Sequence, residues 1–139
     1  TREFYRLIDG ILNPNGILLT NIIDNFQRGS FLPSTIRTLR EVFGERNVSI
    51  ISISPQFEKI GSATFIVMAS RDEINIRDFE SSLRRKAGND PASSVVPERL
   101  VDQFMKRSHA VLLTDDYAPV DNLIAPVFEE RFGYNRKIR

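Results

Sequence analysis

Leu12-Asn13-Pro14-Asn15-Gly16-Ile17-Leu18-Leu19-Thr20-Asn21-Ile22-Ile23 is the stretch on which the fold turns. Pro14 cannot continue a helical ladder, and Asn or Gly tolerates left-handed backbone, so Asn13 to Gly16 ends the element before it. That element is helical: Phe4, Leu7, Ile8, Ile11 and Leu12 fall on one apolar stripe, and Thr1 can cap its start. After the turn comes a short aliphatic run, Ile17 to Ile23, rich in β-branched residues. Its composition suits a strand covered on both faces. A helix, a tight turn and a buried strand make half a turn of a doubly wound α/β sheet.

The pattern continues outward from there. Asp24 to Ser30 reads as a polar loop at the carboxyl end of the first strand, the edge where open α/β sheets bind ligands. Leu32, Ile36, Leu39 and Phe43 predict a helix with Ser30 as cap and Pro33 in its first turn, stopped by Gly44. Val48–Ile53 and Ala63–Ala69 read as strands joined by the Pro55–Gly61 turn. So short a connection favours antiparallel pairing, because a parallel pair needs a crossover of about a dozen residues or more. Asn75 caps a helix carrying Ile76, Phe79 and Leu83. A polar segment, about residues 86–96, reads as a mobile linker. Pro97 opens a helix with Leu100, Val101, Phe104 and Met105 inward, and Val120 to Phe132 forms a last helix marked by Pro126. The phenylalanines Phe4, Phe79, Phe104 and Phe128 are expected in the core.

Composition bounds the chemistry. The 139 residues suffice for one domain or part of one, here taken as a single partial domain over 1–139. The formal net charge of +1 gives no field that would favour nucleic acid or an acidic membrane surface. The absence of cysteine removes disulfides, thiolate nucleophiles and zinc–thiolate sites, and fits a reducing, cytoplasmic setting. His109 is the only histidine and lacks a placed acid or serine, so it reads as a helix-end cation. No metal site is expected. No apolar run is long enough to cross a bilayer. Gly61 and Gly88 stand alone and build no phosphate loop, and Arg84-Arg85-Lys86 reads as a solvated helix end.

The element order is helix, strand, helix, strand, hairpin, strand, with helices at the end. It resembles the carboxyl-terminal half of the class I S-adenosylmethionine-dependent methyltransferase fold, a Rossmann-like sheet whose final strand inserts antiparallel. Two motifs narrow the resemblance. Thr1-Arg-Glu-Phe-Tyr with Leu12 to Asn21 looks like the helix and strand that come after the catalytic acidic loop in the spermidine synthase-like family. Leu113-Thr114-Asp115-Asp116-Tyr117-Ala118-Pro119-Val120-Asp121-Asn122-Leu123 looks like the closing segment of that family's bacterial branch. Members of the branch are often fused to membrane-transporter-like domains, so a membrane anchor is expected outside this chain if the parent has one.

The resemblance implies a parent that binds S-adenosylmethionine or its decarboxylated form and transfers a methyl or aminopropyl group to an amine. It also implies roles that no residue here can inherit. The glycine-rich turn, the ribose-holding acid and the acidic loop would all precede Thr1. The chain therefore offers no catalytic or cofactor-binding residue of its own, and is expected to lack activity without the amino-terminal half of such a domain.

What remains is one wall of an acceptor pocket. A polyamine carries ammonium groups, so its pocket needs carboxylates, with aromatic walls assisting. Asp115, Asp116 and Tyr117 have that chemistry, but adjacent carboxylates point different ways, and capping the next helix or bracing the loop is their other reading. Asn21 lies near the ligand edge of the first strand, where its amide has either a substrate or a neighbouring loop to bond. Asp24 and Asn25 lie just beyond and line the same crevice or the solvated loop. In the competing reading the chain is a non-catalytic interaction module that kept half a sheet. The bare edge at Ile17–Ile23 then predicts a homo-oligomer under either reading.

Overall fold

A computed structural model of the chain describes residues 1–87 and 94–133. Among the described residues five α-helices and four strands follow in the order α1 (Arg2–Ile11), β1 (Ile17–Asn25), α2 (Phe31–Phe43), β2 (Val48–Ser52), β3 (Ser62–Ser70), α3 (Ile76–Ala87), β4 (Ser94–Val95), α4 (Glu98–Arg107) and α5 (Val120–Phe132). One four-stranded sheet carries the order β1-β3-β2-β4, and every neighbouring pair is antiparallel. The expected hairpin forms, with Val48 opposite Ala69 and Ser52 opposite Phe65. Its second strand also pairs with β1 along its whole length, Ile17 opposite Ser70 and Asn25 opposite Ser62. β3 thus lies between β1 and β2, which run parallel to one another on either side of it.

The punctuation read from the sequence acts as expected at Thr1, Gly44 and Asn75 but not at Ser30. The Thr1 hydroxyl accepts the Phe4 amide at 3.4 Å, and α1 closes at Leu12. Gly44 ends α2 at φ 99°, a conformation open to glycine at little cost. The Asn75 side chain accepts the Asp78 amide at 3.2 Å at the head of α3. Ser30 makes no side-chain bond to α2, whose cap comes from elsewhere.

Period 2 along the strands divides inside from outside. Thr20, Ile22 and Asp24 on β1 share a face with Phe65, Val67 and Ala69 on β3 and with Val48 and Ile50 on β2. Leu32, Ile36, Leu39 and Phe43 of α2 cover that face, with Val101 and Phe104 of α4 and Tyr5 of α1. Four phenylalanines form the centre. Phe26 stacks on Phe104 with centroids 4.5 Å apart, meets Phe57 edge-on at 4.8 Å, and lies 5.9 Å from Phe65. The Arg107 guanidinium stands over both Phe26 and Phe104 and donates to the Phe26 carbonyl at 3.0 Å.

Four expectations about the elements are corrected. The first strand is not covered on both faces: Ile17, Leu19 and Ile23 are exposed while Ile22 is buried. It runs to Asn25, so Asp24 and Asn25 belong to the strand, and with Phe26 they are buried instead of solvated. On α1 the core takes Tyr5, leaving Phe4, Leu7 and Ile11 exposed, because the helix offers the sheet the flank of its stripe and not the centre. Of the four phenylalanines assigned to the core, Phe104 is buried, whereas Phe4 and Phe128 are exposed. In the linker, residues 88–93 lie outside the described residues. Ser94–Val95 pairs with β2, and Val96 is buried. Gly88 and Arg136 to Arg139 likewise lie outside the described residues. No described helix is long and apolar enough to cross a membrane.

Phe104 touches the centre of the aromatic cluster and is fully buried. Phe104→Ala therefore leaves a cavity between α4 and the sheet and is expected to cost ~3–5 kcal/mol, read from the midpoint of chemical denaturation.

Candidate functional site

The carboxyl end of β1 gathers the polar groups. There the chain turns from strand to helix through Phe26–Ser30, and the turn is organised by Asp24. Its Oδ1 accepts the Asn25 amide at 2.8 Å, and its Oδ2 accepts the Leu32 amide at 2.7 Å. The second bond satisfies a free donor at the start of α2, so Asp24 supplies the cap that Ser30 does not. Gly29 lies against the same carboxylate, where a β-carbon would collide with both oxygens. Asp24 is 0% exposed, and burial pushes its carboxyl above the usual value of 3.8, with the Leu32, Asn25 and Phe31 amides opposing the shift.

Asn25 points to the opposite face. Its Oδ1 accepts the Gln27 and Arg28 amides and shapes the turn, while its Nδ2 donates to Glu130 at 3.1 Å. The Ser62 hydroxyl also bonds Glu130 at 3.1 Å, on the same oxygen, Oε2. Gly61 lets the carboxylate lie against the backbone, since a β-carbon there would occupy the position of Oε1. α5 thereby delivers a carboxylate to the sheet edge. Its Oε2 is held by two donors, and its Oε1 accepts no hydrogen bond among the described residues. A cavity of about 350 Å³ opens here, lined by Ile23, Ser62, Ala63, Thr64 and Glu130. A carboxylate above an apolar strand residue suits an ammonium group with its methylene chain.

A larger cleft of about 610 Å³ lies beyond β2, between α3 and α4, and includes Arg40, Ile50, Glu80 and Val101 in its lining. Neither this cleft nor the smaller crevice is lined by Asn21, Asp24, Asp115, Asp116 or Tyr117. In the larger cleft Arg40 is already paired with Glu45 at 3.1 Å and Asp102 at 3.6 Å. The smaller crevice is the better candidate, because it stands beside the Asn25–Glu130 hydrogen bond at the joint between β1 and α2.

The five candidate residues fall in three places. Asn21 is exposed on the outer face of β1, two residues before the Ile23 that lines the crevice. Asp24 is on the inner face, committed to α2. Asp115, Asp116 and Tyr117 are exposed in a tight turn in which Thr114 and Tyr117 exchange backbone bonds. That turn braces α1: Asp115 accepts the Thr1 hydroxyl, its amide donates to Glu3 at 3.0 Å, and the Arg2 amide donates to the Leu113 carbonyl at 2.7 Å. The bonds around Glu3, its own amide first, hold its carboxyl below the usual range. Neither aspartate caps the next helix, because α5 begins at Pro119 without a side-chain cap bond. His109 is exposed just past the end of α4. Glu130 escaped sequence reading because it meets Asn25 across 105 positions and carries no local motif. Asn25 directly after an aliphatic strand was the signal at hand.

No protein-family profile and no curated protein matches this chain. Among solved structures it is similar to the crystal structure of a probable spermidine synthase from Corynebacterium glutamicum ATCC 13032. The match has a TM-score of 0.59 at 21% identity and covers 82% of this chain and 41% of that one. The two share a fold, and this chain spans less than half the length of that structure. The described chain is a mixed α/β unit with a spermidine synthase-like fold.

Asp24 ties this geometry to pH. A folded-state carboxyl raised above its unfolded value holds its proton longer in the native state. Stability from this group is therefore greatest at acid pH and declines as pH rises from 3.8 through the raised folded value. The melting temperature of the wild type minus that of Asp24→Asn should fall as pH rises across this window. A rising difference would mean that the amide bonds outweigh burial.

Proposed function

We propose that this chain supplies the acceptor-side wall of a spermidine synthase-like transferase. Such an enzyme moves an aminopropyl or methyl group from decarboxylated S-adenosylmethionine or S-adenosylmethionine to an amine. The likeness of fold over 82% of the chain carries this reading, and the crevice at Glu130 supplies fitting chemistry. An amine acceptor enters as an ammonium ion, which a carboxylate with a free oxygen can hold and orient. Ile23 gives its methylene chain an apolar surface.

The residues present do not fit the adenosyl group. Among the described residues the crevice has no glycine-rich turn for close backbone approach and no acid set for a ribose. In this proposal the wall orients the acceptor, and the cofactor is held by groups outside these 139 residues. Asp116 and Tyr117 keep a second, outer role toward a long polyamine. The isolated chain is then inactive. A second reading, a non-catalytic interaction module, rests on the outer edge of β1, which has no strand neighbour among the described residues.

Calorimetric titration separates these readings. The chain is expected to bind spermidine, with Glu130→Gln weakening it about tenfold or more, since a hydrogen bond to a charged group is worth ~1.5–3 kcal/mol. S-Adenosylmethionine and its decarboxylated form should not bind. Absence of spermidine binding by a folded chain would refute the acceptor wall, and binding of an adenosyl ligand would refute the assignment of roles.

A further inference from the structure

Asn15-Gly16 is the one Asn-Gly step in the chain. It lies in the turn between α1 and β1, at the end of the strand away from the crevice. The Gly16 amide donates to the Asn13 carbonyl at 2.8 Å, which closes a β-turn with Pro14 and Asn15 at its centre. Asn15 is exposed, and its side chain bonds no group among the described residues. Gly16 is crowded: a β-carbon there would come within 3.0 Å of the Asn13 carbonyl oxygen and of Leu12 Cδ2.

After any asparagine, the next backbone nitrogen can attack the side-chain amide carbon and close a five-membered ring. A side chain on the next residue hinders the approach, and a backbone held in a helix or a ladder resists the rotation it needs. Glycine removes the first obstacle and lowers the second. The other described asparagines keep both or lack the nucleophile. Asn13 precedes Pro14, which has no N–H. Asn21 and Asn25 lie in paired β1, ahead of Ile22 and Phe26. Asn47 commits its Nδ2 to the Phe43 and Arg71 carbonyls at 2.7 and 2.8 Å. Asn75 bonds Asp78 through both ends of its amide, and Asn122 lies within α5 ahead of Leu123.

We propose that Asn15 is a site of spontaneous deamidation, through a succinimide formed with Gly16. The Gly16 N–H leaves the Asn13 carbonyl and gives its proton to solvent hydroxide, and the nitrogen attacks Asn15 Cγ. The Cγ–Nδ2 bond breaks, and the nitrogen leaves as ammonia with a proton from water. Water then opens the ring. Cleavage of the new Cγ–N bond gives aspartate. Cleavage of the original backbone C–N bond gives isoaspartate, with the main chain rerouted through Cβ and Cγ. Nothing is oxidised or reduced. Both reacting groups are covalent neighbours, so the step needs no partner and does not depend on what packs against the sheet. It is also independent of the transferase reading.

Each event removes one unit from the formal net charge of +1. Isoaspartate also lengthens the main chain by one carbon–carbon bond of about 1.5 Å. The turn has no slack for it, since Gly16 packs on Leu12 and Asn13 and its carbonyl accepts the Ser70 hydroxyl at 3.1 Å. The strain falls on the Ile17–Ser70 end of the β1–β3 pairing.

The test is to age the purified chain at mildly alkaline pH and map its peptides by mass spectrometry, with fragmentation that separates isoaspartate from aspartate. Asn15 is expected to convert before the other described asparagines, mostly to isoaspartate, at a rate that rises with pH. Asn15→Gln should stay intact over the same period. Hydrogen exchange in the first residues of β1 should quicken severalfold in the isoaspartyl chain. It should not quicken in Asn15→Asp, which carries the charge without the longer backbone. A folded chain whose Asn15 stays whole while the urea-unfolded chain converts would overturn the proposal, because the Gly16–Asn13 bond would then protect the step. So would earlier conversion of another described asparagine, or unchanged exchange in the isoaspartyl chain.

Discussion

The bond from the Leu32 amide to the Asp24 carboxylate sets the position of everything beyond the first strand. A carboxylate with no exposure is costly unless donors surround it, and here the donors are the backbone amides of the turn and of the first turn of α2. The arrangement fixes where α2 begins relative to β1. With the start fixed, Leu32, Ile36, Leu39 and Phe43 fall on the sheet, and Ser34 and Thr38 face the returning chain. Their hydroxyls accept the Val111 and Leu113 amides, both at 3.0 Å, which seats the segment that carries Asp115. A slip of α2 by one residue would rotate its apolar stripe by about 100° and unseat both.

Much of this architecture is legible in the sequence. Element order and the β2–β3 hairpin come from periodicity and from turn residues, which are local signals. The missing information is relational. Periodicity on α1 defines an apolar stripe without saying what covers it, and the residue that the core takes is Tyr5, which carries a phenolic hydroxyl inward with its ring. Burial pushes that hydroxyl's pKa upward. Asp24 and Asn25 look like loop residues because polar side chains usually are. In the fold they are the two ends of a strand-to-helix joint, one facing inward to α2 and the other outward to Glu130.

The candidate site is less legible than the fold for the same reason. Asn21 lies in the middle of β1 and Asn25 at its end, beside the crevice. The groups around Asn25, Ser62 and Glu130, come from the start of β3 and from α5, and only the antiparallel insertion of β3 brings Ser62 opposite Asn25. The Asp115–Tyr117 motif is the more distinctive in sequence, yet its hydrogen bonds go to the head of α1. A conspicuous motif here buttresses the scaffold, while an inconspicuous glutamate meets the cavity.

The position of β3 also orders assembly. Ser52 and Phe65 are joined by a short loop, whereas Ile17 must find Ser70 across α2, β2 and the hairpin. Loop-closure entropy makes the first pairing less costly than the second. Among the described residues β1 meets β3 alone, because β3 separates it from β2. The pairing of β1 with β3 thus waits on a strand completed later in the sequence, at Ser70.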